Sequence, residues 1–278
     1  MTRFTISHVL GVLLVCVAPT ASVQAADPLN VTIEDNVYSA DLQVPGGFSA
    51  KLTVAFENVV GLRARSLNVT AFAVDPLDPT LLGRLGTAVE GIPAAFPLLV
   101  RIEPNPHSGL SFSGIVEIEL YTHDLEFGAA SPLRLYSSPP GGAFSDVTTA
   151  HGAGSYRSKG TKGSFSDFLI VAETRTPLLA ASDKLASLDA LLSSHASQID
   201  AATYVPLSNL VAAARDAFAA GNLVAAVTYV EEFGDAVKNA DEEIPNVWAA
   251  ARSLTNVAGE LRAAAGTTRF SLTLALNN

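Results

Sequence analysis

The chain has 278 residues, 49% of them hydrophobic, with 17 lysines and arginines against 27 aspartates and glutamates. It is too apolar to stay disordered, and its formal charge of −10 argues against a nucleic-acid backbone or an anionic lipid surface as partner. A single cysteine, Cys16, leaves no intrachain disulfide to make.

The first residues read as a secretory signal peptide, residues 1–25. Arg3 charges a short n-region, residues 9–17 form an apolar run, and Val23-Gln24-Ala25 before Ala26 gives an A-x-A-like cleavage site. The run is too short to span a bilayer, which takes about 18 to 20 apolar residues, so no transmembrane span is expected. Leu13-Leu14-Val15-Cys16 is close to a bacterial lipobox, but Val15 stands where that motif has a small residue; lipid anchoring at Cys16 is not expected. Loss of the leader removes Arg3 and no acid, which takes the charge from −10 to −11. The expected place of the protein is the periplasm or the extracellular space.

Short alternating runs set apart by Gly and Pro then continue to about residue 175. They include 37–42, 48–56 after the Pro45-Gly46-Gly47 turn, 67–74, 98–102, 112–121, 133–136 and 168–171. A polar residue at every second position, as with Glu117 and Glu119 between Val116, Ile118 and Leu120, gives each strand one wet face. Seven to nine such strands predict an antiparallel β-sandwich over 27–175.

Beyond Pro177 the period changes from two to 3.6. Ser182 or Asp183 is placed to cap a helix bearing Leu185, Leu188, Leu191 and Leu192. Pro206 suits the first turn of a second helix, and Gly221-Asn222 stops that helix and starts a third. Pro245 opens a fourth helix, stopped by Gly266. In Phe270, Leu272, Leu274 and Leu276 the apolar residues alternate again, which predicts a strand, either returned to the sandwich or added to another molecule. The expected fold is a segregated α+β chain: the sandwich, an antiparallel helical bundle over 177–266, and a C-terminal strand over 267–278.

Few constellations carry chemistry. Phe-Ser-Asp occurs twice, at 144–146 and 165–167, with His151 between, and invites comparison with a Ser-His-Asp triad. The repeat is equally a pair of strand starts, with serine and aspartate capping turns, and that reading is preferred. His123, Asp124 and Glu126 cluster near a strand end, and Asp75 and Asp78 flank prolines, but neither set has the density of a strong metal motif. The glycine-rich 152–163 segment lacks phosphate-loop spacing, so no cofactor is expected. Its cations, Arg157, Lys159 and Lys162, make a basic patch on an acidic chain; with His123 they are the candidate partner-binding residues.

Two resemblances bear on this. Leu133 to Tyr136, Phe144 to Thr148 and Phe165 to Val171 look like the closing strands of sandwich domains on secreted bacterial proteins. The helical segment is similar to a FIMAH-type module, through Ala214, Ala217, Gly221-Asn222, Ala225-Ala226, Phe233 and Val237. A tetratricopeptide pair also suits that turn, but no second copy appears at the 34-residue period. The chain as a whole looks like an uncharacterised exported bacterial family with this two-part build. These resemblances imply modules that bind or space and carry over no catalytic residue. The resulting expectation is a monomeric, non-enzymatic binding or structural module with a protein or glycan partner. The alternatives are a hydrolase of envelope or extracellular polymers, for which Glu117 and Glu119 would form an acid pair only if they faced a cleft and not solvent, as their alternation indicates, and a surface-polymer subunit joined through the segment from Arg269 to Leu276.

Overall fold

A computed structural model describes residues 25–128, 131–240 and 242–277. The expected leader up to residue 24, with Cys16, lies outside the described residues, as does Asp241. The fold is mixed α+β, with two antiparallel sheets of seven strands each and five α-helices among the described residues.

The elements run β1 (Ala25–Ala26), β2 (Leu29–Glu34), β3 (Val37–Gln43), β4 (Ser49–Val60), β5 (Leu67–Ala73), α1 (Pro79–Leu85), β6 (Val89–Gly91), β7 (Leu98–Pro104), β8 (Ser111–Thr122) and β9 (Leu133–Ser138). They continue with β10 (Ser145–Asp146), β11 (Thr148–Gly152), β12 (Tyr156–Lys162), β13 (Asp167–Glu173), α2 (Pro177–Ser194), α3 (Ala201–Ala219), α4 (Leu223–Asn239), β14 (Trp248–Ala249) and α5 (Val257–Leu276). The first sheet has the order β1-β5-β7-β13-β9-β10, with β6 on the far end of β13. The second has the order β11-β12-β8-β4-β3-β2, with β14 on the start of β8.

Alternation explains the shared core. Leu52 and Val54 of β4 and Val116, Ile118 and Leu120 of β8 meet Val69, Val100, Leu135 and Ile170 of the other sheet. β13 reads as an unbroken apolar run because both its faces are covered. Phe168 and Ile170 face the shared core, while Leu169 and Val171 lie with Tyr136 under Leu81 and Leu85 of α1. That short helix has Asp78 as its N-cap, accepting from the Thr80 N–H at 2.8 Å.

Several helical expectations need correction. α2 starts six residues before the expected cap, at Thr176-Pro177: the Thr176 hydroxyl accepts from the Leu179 N–H at 3.3 Å, and proline sits where its missing N–H costs nothing. Pro206 lies inside α3, on an exposed side where the carbonyl it leaves unbonded faces water. Gly221-Asn222 does end α3 and cap α4, the Asn222 side chain accepting from the Ala225 N–H at 3.1 Å.

The fourth helix does not start at Pro245. The residues after it are irregular, and Trp248 stacks on Phe112 with ring centroids 5.2 Å apart, closing one end of the shared core. Helix resumes only at α5, capped by Asn256.

The C-terminal strand expected over 267–278 is absent, because α5 runs through Gly266 to Leu276. Buried Ala258, Leu261, Ala265, Thr268 and Leu272 recur every three or four residues, and that period prevails over the local alternation. The segment from Arg269 to Leu276, offered for strand addition, is therefore helical. Among the described residues no helix is long and apolar enough to cross a membrane.

Two glycines let α5 lie against the second sheet. A Cβ on Gly259 would come within 2.4 Å of the Gly114 carbonyl in β8, and one on Gly163 within 2.5 Å of the Glu260 nitrogen. Asn256 adds a bond from its amide to the Gly114 carbonyl at 2.7 Å. The ladder slips between Phe56 and Asn58, and the intervening Glu57 accepts from Arg262 at 2.7 and 3.2 Å. Burial would raise the Glu57 carboxyl, but its bonds to Arg262 and the Ile115 N–H hold it below the usual range.

Candidate functional site

The four residues read from the sequence do not form one patch. Arg157 and Lys159 share a face of β12 and lie opposite β8. Arg157 pairs with Glu119 and covers the Tyr121 ring at 4.6 Å; Lys159 reaches Glu117 at 2.6 Å and Glu119 at 3.4 Å. His123 completes this cluster, bonded to the Ser155 hydroxyl at 2.7 Å and the Tyr121 hydroxyl at 3.2 Å. It is a cross-strand charge ladder whose acids and bases neutralise each other, and the proposed acid pair Glu117 and Glu119 is part of it. Asp124 turns away to accept from the Ser49 N–H at 3.0 Å. Among the described residues no three metal-ligating side chains come together.

Lys162 has the opposite parity on β12 and lies elsewhere. It lines a cleft of about 630 Å³ between the sheets and the helices. One wall is Tyr136, residues 144–147 and residues 161–166; the other is α2 and α5, with Lys184, Leu188, Leu191, Glu260, Ala264 and Thr267.

A buried ion pair crosses the cleft's floor. Asp146 and Lys184 are 2.6 Å apart, with side chains only 2% and 9% exposed. The Lys184 ammonium also donates to the Thr267 hydroxyl at 2.6 Å and the Thr267 carbonyl at 3.2 Å, while Asp146 accepts from the Thr148 N–H at 2.8 Å. Burial would raise the Asp146 carboxyl, but Lys184 and Thr148 hold it below the usual carboxylate range. Both Phe-Ser-Asp repeats prove to be strand starts: β10 is Ser145–Asp146 and β13 begins at Asp167.

A second network closes the cleft's rim. Tyr136 donates to Glu173 at 2.6 Å, and Arg175 grips the same carboxylate at 2.6 and 2.9 Å and reaches Asp183 at 2.9 Å. Burial pushes the Tyr136 hydroxyl up, and the Glu173 carboxylate pushes it further. Glu173 itself stays below its ordinary range because its bonds to Arg175 and Tyr136 outweigh burial.

Ser145 and Ser166 line the cleft, yet neither is bonded to His151 among the described residues. His151 packs against Tyr156 and Phe270, with ring centroids 5.7 and 5.2 Å away, and its buried Nε2 has no hydrogen-bond partner. Burial and then Arg134 pull it down to about 4.

Lys162 differs from the other cations here. Lys184 and Arg175 each place donors on an acid, whereas Lys162 has no ion pair or hydrogen bond among the described residues. Burial lowers its ammonium, and Glu260 is the one charge that pulls it back. The Glu260 carboxylate is bonded to His195 at 3.2 Å.

The sequence family covers the whole of this arrangement, matching residues 11–275 across both sheets and all the helices. The chain belongs to a family of unknown function, DUF6689. No curated protein matches it.

Proposed function

We propose that this DUF6689 member is a non-enzymatic binding module, exported to the periplasm or the extracellular space of a bacterium, and that its binding site is the cleft between sheets and helices. We also read its two parts as units, a β-sandwich and a helical bundle laid across one end of it.

The observation that carries the proposal is the cleft itself. Its volume of about 630 Å³ lies within the range of small-molecule sites. Its walls combine apolar surface from Phe165, Leu188 and Leu191 with a few convergent polar groups, as binding sites do. Most of those groups are fixed in pairs: Asp146 with Lys184, and Glu173 with Arg175 and Tyr136. Such pairs hold a shape. Among the described residues neither Ser145 nor Ser166 is bonded to His151, and the Asp146 and Glu173 carboxylates, paired and held below their ordinary range, favour recognition over proton transfer. The leader pattern supports export.

The test is a small-molecule thermal-shift screen on the wild-type protein and on Ala264→Trp, which places an indole in the cleft. Ligands are expected to stabilise the wild type and not the variant. An ester or glycoside hydrolysis screen runs beside it. Ligands that stabilise both proteins equally, or turnover abolished by Ala264→Trp, would overturn the proposal.

A further inference from the structure

We infer that the ligand is a monoanionic organic acid, its carboxylate paired with Lys162 and its apolar body against Phe165, Leu188 and Leu191. This rests on the cleft being the binding site and names the chemistry it selects.

Three cations line the cleft: Lys162, Arg175 and Lys184. Lys184 spends its ammonium on Asp146 and Thr267, and Arg175 spends its guanidinium on Glu173 and Asp183. Lys162 stands half-buried with neither an ion pair nor a hydrogen bond among the described residues. The acid nearest in influence, Glu260, is more than ion-pair distance away and bonded to His195. A desolvated ammonium without a partner is unfavourable, so the cleft favours a ligand that brings an anion to Lys162.

The other wall groups set the charge of that anion. Asp146, Asp183 and Glu260 also line the cleft, so a dianion such as a phosphate monoester would meet acids with only one free cation to hold it. An amine finds its acids already engaged. A carboxylate with an aliphatic or aromatic body meets one free cation and apolar walls, and the Ser164 hydroxyl at the rim is a further donor.

The probes are octanoate, octan-1-ol and octylammonium, titrated calorimetrically into the wild type, Lys162→Met, Lys162→Arg, the exposed-site control Lys51→Met and Ala264→Trp. Octanoate is expected to bind the wild type in preference to the alcohol and the amine. Lys162→Met should weaken it about ten-fold or more, as loss of a charged hydrogen bond does. Lys162→Arg should retain most of the affinity, Lys51→Met all of it, and Ala264→Trp none. Lys162→Met removes an unneutralised charge and should melt no lower than the wild type, so misfolding would not explain its loss of binding.

If the alcohol or the amine binds as tightly as octanoate, with all binding lost in Ala264→Trp, the acid inference is overturned and the cleft stands. Octanoate binding equally to Lys162→Met overturns it too, as does failure of all three probes. The thermal-shift screen judges the cleft separately.

Discussion

The pair Asp146–Lys184 joins strand β10 to α2, and breaking it from one side should be costly. In Lys184→Met the Asp146 carboxylate keeps the Thr148 N–H at 2.8 Å but loses the ammonium at 2.6 Å, while remaining buried. Breaking a buried pair this way costs about 3–5 kcal/mol. For a chain of this size that is a fall in Tm of about 6–20 °C. Asp146→Asn keeps the acceptor for Thr148 and removes the charge. The double variant Asp146→Asn, Lys184→Met leaves no orphaned ion and should recover most of the loss, to within about 1–2 kcal/mol of the wild type. Urea unfolding of all four proteins at pH 7 measures the coupling. A loss under about 1 kcal/mol in Lys184→Met, or a double variant equal to the sum of the singles, would show that the pair does not hold α2 to the sheet.

Three further outcomes are expected. His151 titrates near 6.5 when unfolded and at about 4 when folded, so the unfolded chain takes up the proton first as pH falls. Stability present above pH 6.5 should decline toward pH 4, by about 2 kcal/mol at pH 5 from this residue; His151→Phe, sited among Tyr156 and Phe270 with Arg134, Asp146 and Lys184 as charged neighbours, should flatten that slope in urea unfolding at both pH values. Gly259→Ala pushes a Cβ to 2.4 Å from the Gly114 carbonyl and should cost about 1–3 kcal/mol, read as a lowered urea midpoint, whereas Gly83→Ala, where a Cβ meets nothing within 4 Å, should cost none. Lys162→Met should raise the Tm of the ligand-free protein by a few degrees, measured by calorimetry, because a half-buried ammonium without a partner is removed.

The sheets were legible because period two is a local signal: β4 and β8 show it without help from their neighbours. The end of the chain was not. Phe270, Leu272, Leu274 and Leu276 alternate over seven residues, but the stripe that decides their conformation begins at Val257. Gly266 looks like a stop signal, yet it lies inside α5, where even a Cβ would make only ordinary contacts, at 3.4 Å, with Thr149 and Thr161. The helical pattern read from Pro245 takes in Trp248 because nothing local says that its indole will stack on Phe112, 136 positions earlier.

The candidate site was half visible. Proximity in sequence groups Lys162 with Arg157 and Lys159, although strand parity places it on the other face of β12. Lys184 was overlooked. Its signal was present: it sits beside Leu185 on the stripe of Ala181, Leu188 and Leu192, where a charge implies a buried partner. That the partner is Asp146 depends on where α2 docks, which no spacing states.

Hydrogen–deuterium exchange with octanoate bound tests the central claim most directly. Slowed exchange is expected at residues 144–147, 161–166, 184–191 and 260–268, the two walls of the cleft. Protection centred instead on residues 117–123 and 155–159, where Arg157, Lys159 and His123 lie, would contradict it.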